Sequence, residues 1–251
     1  MSDPRLAFVL GGAQKSGTTT LDAILRHHPQ LQMARIKETH FFDDESRDWS
    51  RPDYAELHSC FVDDARLRGE STPVTLYWRP AIRRLRAYNP DIKLIFLLRD
   101  PVTRAFANWK KEYAAGLETL PFAAAIRAYP GRVRDSAETE GLHRVHSYVE
   151  RGFYGAQLAY LSGFFPKAQV HCEIYESFYA DREAGLARIA AFLGIAPFPA
   201  PIPDLRKHPS KEAAYPSALT QDDSAFLHGL FRDDIARVES FLGRPIPQWP
   251  R

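Results

Sequence analysis

Cysteine is scarce in this chain: two in 251 residues, Cys60 and Cys172, far apart and without a Cys-x-x-Cys spacing. That excludes a disulfide-stapled scaffold, argues against a thiolate zinc site, and suits a reducing compartment. An excess of charge of either sign is missing too. Lys and Arg total 33 against 31 Asp and Glu, interspersed, for a net charge of +2, so the electrostatic footprint of a nucleic-acid binder is lacking. No apolar run approaches the length of a membrane span. The first strand starts by about residue six, which leaves no room for a charged leader followed by an apolar one. A cytoplasmic protein is expected, or the catalytic part of a longer one. Internal repeats and low-complexity tracts are absent. Glu140, His143 and His146 could share a helix face at i, i+3 and i+6. With no thiolate or carboxylate pattern behind them a polar helix surface explains the spacing, and no metal is expected.

What is present is apolar sequence in alternating blocks. With 45% hydrophobic residues, the chain can bury one sizeable core, and a single domain over residues 1–251 is expected. Strand-like and helix-like stretches alternate as in an α/β fold: a P-loop-like parallel β-sheet flanked by helices on both faces. Leu6 opens the first strand, Thr18 to His28 reads as a helix ended by Pro29, and Leu31 to Ala34 as a short strand. Ala81 to Tyr88 and Val102 to Ala115 read as helices on either side of a buried strand, Ile92 to Leu98. Residues 119–149 look helical and polar, broken at Pro130-Gly131. A helix opens at Gly152 to Leu158, and Gln169 to Ile174 is a further strand. Pro197 to Pro216 is proline-rich and reads as a loop. Phe226, Leu227, Leu230, Phe231, Ile235, Val238, Phe241 and Leu242 recur at helical spacing, with Thr220-x-x-Asp223 ahead and Gly243 behind.

The first strand runs through Gly11-Gly12-Ala13-Gln14-Lys15-Ser16-Gly17-Thr18-Thr19-Thr20 into a helix. Such a turn aims backbone N–H groups at one spot, and the helix N-terminus adds partial positive charge, so an anion is the natural occupant. Against the ATP-loop pattern G-x-x-x-x-G-K-[ST], Gly12 and Gly17 fit, but Thr18 stands where the lysine belongs. The lysine, Lys15, comes two places before the glycine. The strand ending at Leu98 leads into Arg99-Asp100-Pro101, with Asp100 suited to N-cap a helix and Pro101 to open it. Arg99 is thereby held at the carboxyl end of a strand, where a guanidinium can fork onto phosphate oxygens.

The Lys-x-Gly-Thr-Thr spelling resembles the 5′-phosphosulfate loop of sulfotransferases that use 3′-phosphoadenosine 5′-phosphosulfate, and Leu-Arg-Asp-Pro-x-x-Arg-Ala resembles their 3′-phosphate motif. Lys37-Glu38-Thr39-His40-Phe41-Phe42-Asp43 is similar to a segment of the heparan sulfate type, whose glutamate deprotonates the acceptor hydroxyl. The resemblance covers nearly the whole chain. It implies Lys15, Glu38 and His40 as catalytic residues, and a donor site made by Lys15, Ser16, Gly17, Thr18, Thr19, Thr20 and Arg99. The family's phosphate-binding serine is replaced by Ala107, which leaves Asn108, or Arg99 and Arg104, to compensate. Lys211 stands in for a donor-covering loop, with Arg206 and Lys207 as alternatives. Glu70-Ser71-Thr72-Pro73 lacks a lysine that the glycan enzymes carry, which argues against a highly anionic acceptor.

The implied reaction is in-line sulfuryl transfer from 3′-phosphoadenosine 5′-phosphosulfate to a hydroxyl or amine of a glycan, lipid or small-molecule natural product, without metal. Oligomeric state is not legible. Two other readings compete: a P-loop nucleotide kinase with an atypical loop, disfavoured by Thr18, and a non-catalytic adenosine-bisphosphate-binding module, which would have no use for Glu38 and His40.

Overall fold

The computed structural model describes residues 5–129, 131–132, 140, 142–199 and 215–250. They form two compact units. The first holds residues up to Leu98 together with the stretch from Tyr160, and the second holds Arg99–Ala159 with the C-terminal stretch.

The first unit is built on a five-stranded parallel sheet. Its strands are β1 (Phe8–Gly12), β2 (Leu31–Met33), β3 (Leu67–Glu70), β4 (Lys93–Leu98) and β5 (Val170–Ile174), in spatial order β2-β3-β1-β4-β5. The side-chain period of two sends Phe8, Leu10, Ile95 and Leu97 to one face. There they pack with Leu21, Ile24 and Leu25 of α1 (Thr18–Leu25), Phe178 of the helix after β5 (Tyr175–Ala180), and Leu186, Ile189 and Leu193 of the next (Arg182–Leu193). On the other face Phe96 lies against Gly11 beside Thr75, and a side chain on Gly12 would meet Leu76. The helix Arg79–Tyr88 follows, tied to the strand entry by Tyr88 Oη, which accepts from the Leu6 N–H at 2.9 Å. The chain leaves β1 toward β2 on one side, while β4 lies on the other. The loop after β1 therefore sits at the carboxyl ends of the strands at a topological switch point, where α/β sheets place ligands.

β3 is an element that periodicity does not announce: Leu-Arg-Gly-Glu has two charged residues, yet Arg68 and Glu70 are both buried. Four-residue helix Ala55–His58 was likewise hidden in a turn-rich stretch.

In the second unit Asp100 caps the helix Pro101–Ala114, its carboxylate accepting from the Thr103 N–H at 2.7 Å, as expected. Thr220 caps Gln221–Leu242 in the same way, and Gly243 ends it at φ 74°. Within the stretch 119–149, expected to be helical, the described residues hold a helix at Phe122–Arg127 and helical residues 131–132, but over 142–149 they are mostly turns and bends ahead of a short 3-10 turn at Glu150–Gly152, so the expectation is corrected there. Both cysteines are free, and no helix among the described residues is long and apolar enough to cross a membrane.

Candidate active site

The anion loop has the form its sequence implies. Ala13 N–H donates to the Leu97 carbonyl at 2.9 Å, pinning the loop to β4, and the Ser16 N–H returns to Ala13 O at 3.2 Å. Lys15 stands at φ 69° and Gly17 at φ 83°, so two of three consecutive residues are left-handed, and the chain turns sharply into α1. Gly17 is the N-cap of α1 and supplies no side-chain acceptor, which leaves the helix start to an external anion. Thr18 and Thr20 are buried and Thr19 half-buried. Ser16 is fully buried, and its Oγ has no hydrogen-bond partner among the described residues. An orphaned hydroxyl beside an uncapped helix start fits a phosphosulfate-type ligand.

The second constellation is the segment after β2. Glu38 and His40 are left-handed as well, at φ 60° and 51°. Residues with side chains tolerate that region at a cost of order 1–3 kcal/mol each, and such positions cluster at functional sites. Of the non-glycine residues with positive φ in the described structure, three are the predicted catalytic residues and the fourth is Glu140. His40 is bracketed by carboxylates: Nδ1 is 3.0 Å from Asp43 Oδ2, and Nε2 is 3.7 Å from Glu38 Oε2. Hydrogen bonding to Asp43, then the contact with Glu38, raises the imidazole to about 9. The His40 imidazolium, then Lys37, which is hydrogen-bonded to Glu38, hold the Glu38 carboxyl down at about 2. The pair is therefore ionised on both sides at neutral pH. His40 is thus the charged partner of the Glu38 carboxylate. In the sequence, the i, i+3 spacing of Asp43 from His40 is the signal for this contact.

In the second unit Tyr154 Oη donates to the Arg99 carbonyl at 3.0 Å, and its ring packs 5.9 Å from Trp249. Tyr154 thus anchors the backbone of Arg99 from within the core. Arg104 is fully buried, donating to Asn108 Oδ1 at 3.3 Å and to the Tyr148 carbonyl. Asn108 is buried too, its amide shared between Arg104 and Glu112. Both side chains serve the interior of the unit and are poor candidates for a phosphate. Ala107 is half-buried and offers no hydrogen-bonding group. Lys211, with Arg206 and Lys207, lies outside the described residues. Among the described residues no group of three His, Cys, Asp or Glu could hold a metal ion. His143 is buried and His146 bonds toward the Leu117 carbonyl.

A parallel α/β sheet with an uncapped anion loop at its switch point belongs to the phosphate-binding class of folds. More specifically, the family described as Sulfotransferase domain matches residues 7–221, and the chain belongs to that family. Heparan sulfate glucosamine 3-O-sulfotransferase 6 of Homo sapiens is 32% identical over 190 residues, covering 73% of this chain and 51% of the relative. Heparan sulfate glucosamine 3-O-sulfotransferase 3B1 of Homo sapiens is 29% identical over 187 residues, 74% of this chain and 45% of the relative. The chain spans about half the length of these curated relatives. A crystal structure of a sulfotransferase from Alicyclobacillus acidocaldarius superposes with a TM-score of 0.81 at 26% identity, covering 98% of this chain and 99% of that one.

Proposed function

We propose that the protein transfers a sulfuryl group from 3′-phosphoadenosine 5′-phosphosulfate to a glycan hydroxyl, with Glu38 as the base. The observation that carries this reading is the uncapped turn with left-handed Lys15 and Gly17 in a chain of the sulfotransferase family. That turn suits the phosphosulfate end of the donor, and Arg99 would take the 3′-phosphate. The glycan acceptor is supported by the names of the similar human proteins.

Glu38 is ionised at neutral pH and partly open to solvent, so it can receive the hydroxyl proton as the acceptor oxygen forms its bond to sulfur. The bond that breaks joins sulfur to the bridging phosphate oxygen. The electron pair leaves with adenosine 3′,5′-bisphosphate, and Lys15 with the N–H groups at the α1 start would stabilise that developing charge. His40, held as an imidazolium by Asp43, fixes the Glu38 carboxylate in place. The test is transfer of labelled sulfate from the donor to heparan sulfate and to its fully desulfated counterpart, the second arm because Ser71 stands where a lysine is lacking. Incorporation into either supports the reading, and none into both removes the glycan assignment.

A further inference from the structure

We propose that Glu70 is a positioning residue for this transfer: one of its carboxylate oxygens anchors Thr39, and with it the segment that carries Glu38 and His40. The inference rests on the sulfotransferase reading for its catalytic consequence, though the anchoring geometry is independent of it. Glu70 Oε2 accepts from Thr39 Oγ1 at 3.3 Å and from Thr72 Oγ1 at 2.7 Å. Thr39 lies between the two left-handed residues of the segment. The residue just after β3 provides a second grip, since the Glu38 N–H donates to the Ser71 carbonyl at 2.8 Å. The side chains of Glu38 and His40 are 42% and 51% exposed, so burial does not hold them. A backbone in the left-handed region persists only where its surroundings over-determine it, and the end of β3 does this.

Its location makes the anchor more than local. Glu70 is the last residue of β3 and pairs in register with Val9 of β1, the strand that feeds the Lys15 loop. The base-carrying segment is thus indexed to the same strand as the anion loop, as in-line transfer requires of base and donor. Glu70 is almost wholly buried, and burial pushes its carboxyl up to about 7. The groups facing it are the hydroxyls of Thr39 and Thr72 and the charges of Asp43 and His40.

Three variants of the whole chain separate anchoring from charge: Glu70→Leu removes the acceptor, Glu70→Gln keeps an acceptor oxygen without charge, and Thr39→Val removes the donor at a half-buried site if Glu70→Leu fails to fold. The readouts are the NMR titration of His40, turnover of labelled donor on heparan sulfate, and the KM for the donor. In Glu70→Leu, kcat falls on the order of 100-fold with donor KM little changed, and His40 titrates nearer its ordinary 6.5 than about 9. Thr39→Val shifts both in the same direction, and Glu70→Gln restores them. A His40 titration unmoved in both Glu70→Leu and Thr39→Val overturns the proposal, as does Glu70→Gln behaving like Glu70→Leu. If the wild-type protein transfers no sulfate, the reading of function fails, while the His40 titration still decides the anchoring.

Discussion

Gly17→Ala probes the anion loop with a magnitude that the structure supplies. Gly17 sits at φ 83°, and a Cβ there would approach Tyr179 Oη to 2.8 Å and Tyr175 Cε2 to 3.0 Å. Placing alanine in the left-handed region costs roughly 1–2 kcal/mol. Displacing the two tyrosine rings adds about 0.5–1.5 kcal/mol for each forced off its rotamer. The sum is about 2–5 kcal/mol. For Gly194, which ends the helix Arg182–Leu193 at φ 77°, a Cβ would meet nothing within 4 Å among the described residues. Gly194→Ala therefore carries the backbone cost alone. At about 2–4 °C per kcal/mol for a chain of this size, Gly17→Ala should lower Tm by roughly 4–20 °C and Gly194→Ala by roughly 2–8 °C. Calorimetric melting measures both. Titration with adenosine 3′,5′-bisphosphate should then show binding weakened about tenfold or more in Gly17→Ala only, because only that change disturbs the helix start. Adding Tyr179→Phe should recover part of the Tm loss by removing the nearest atom. Equal Tm losses in the two alanine variants, with bisphosphate affinity unchanged in both, would refute the reasoning.

Other consequences follow from the charged cluster and the helix caps. Glu38→Gln should reduce labelled-sulfate turnover by at least about 100-fold while leaving adenosine 3′,5′-bisphosphate affinity nearly unchanged; Lys15→Ala should impair both. His40 should titrate near 9 by NMR and fall toward its ordinary value in Asp43→Asn. Because its folded pKa is raised, the stability it contributes is fully present below about 6.5 and is lost as pH climbs through about 9. Melting followed over that window checks it, and Asp43→Asn should flatten the loss. Asp100→Ala should cost about 1 kcal/mol through the lost cap on Pro101–Ala114, read as a lower Tm.

The motif-bearing parts of the fold were legible because each is local. The turn from β1 into α1 is spelled by glycine and threonine, the Asp100 cap by Asp-Pro, and the last helix by a regular apolar stripe between Thr220 and Gly243. β3 was not legible, because Arg68 and Glu70 are polar residues whose burial is decided by partners distant in sequence. For the same reason Glu70 could not be picked out: its hydroxyl partners come from two different segments, one of them thirty-one positions away. Arg104 and Asn108 illustrate the converse. The resemblance offered them for the phosphate, whereas the helix turns both inward, toward Tyr148 and Glu112. His40 entered as a catalytic residue through the resemblance of its segment, and only the positions of Asp43 and Glu38 around its ring reveal why its pKa is raised.

In the proposed function the Lys15 loop serves a sulfuryl donor and not a metal-bound triphosphate. Calorimetric titration of the protein with adenosine 3′,5′-bisphosphate in the presence of a chelator, beside a titration with magnesium-ATP, tests it most directly. The account predicts micromolar binding of the bisphosphate without metal and much weaker binding of magnesium-ATP; preference for magnesium-ATP would contradict it.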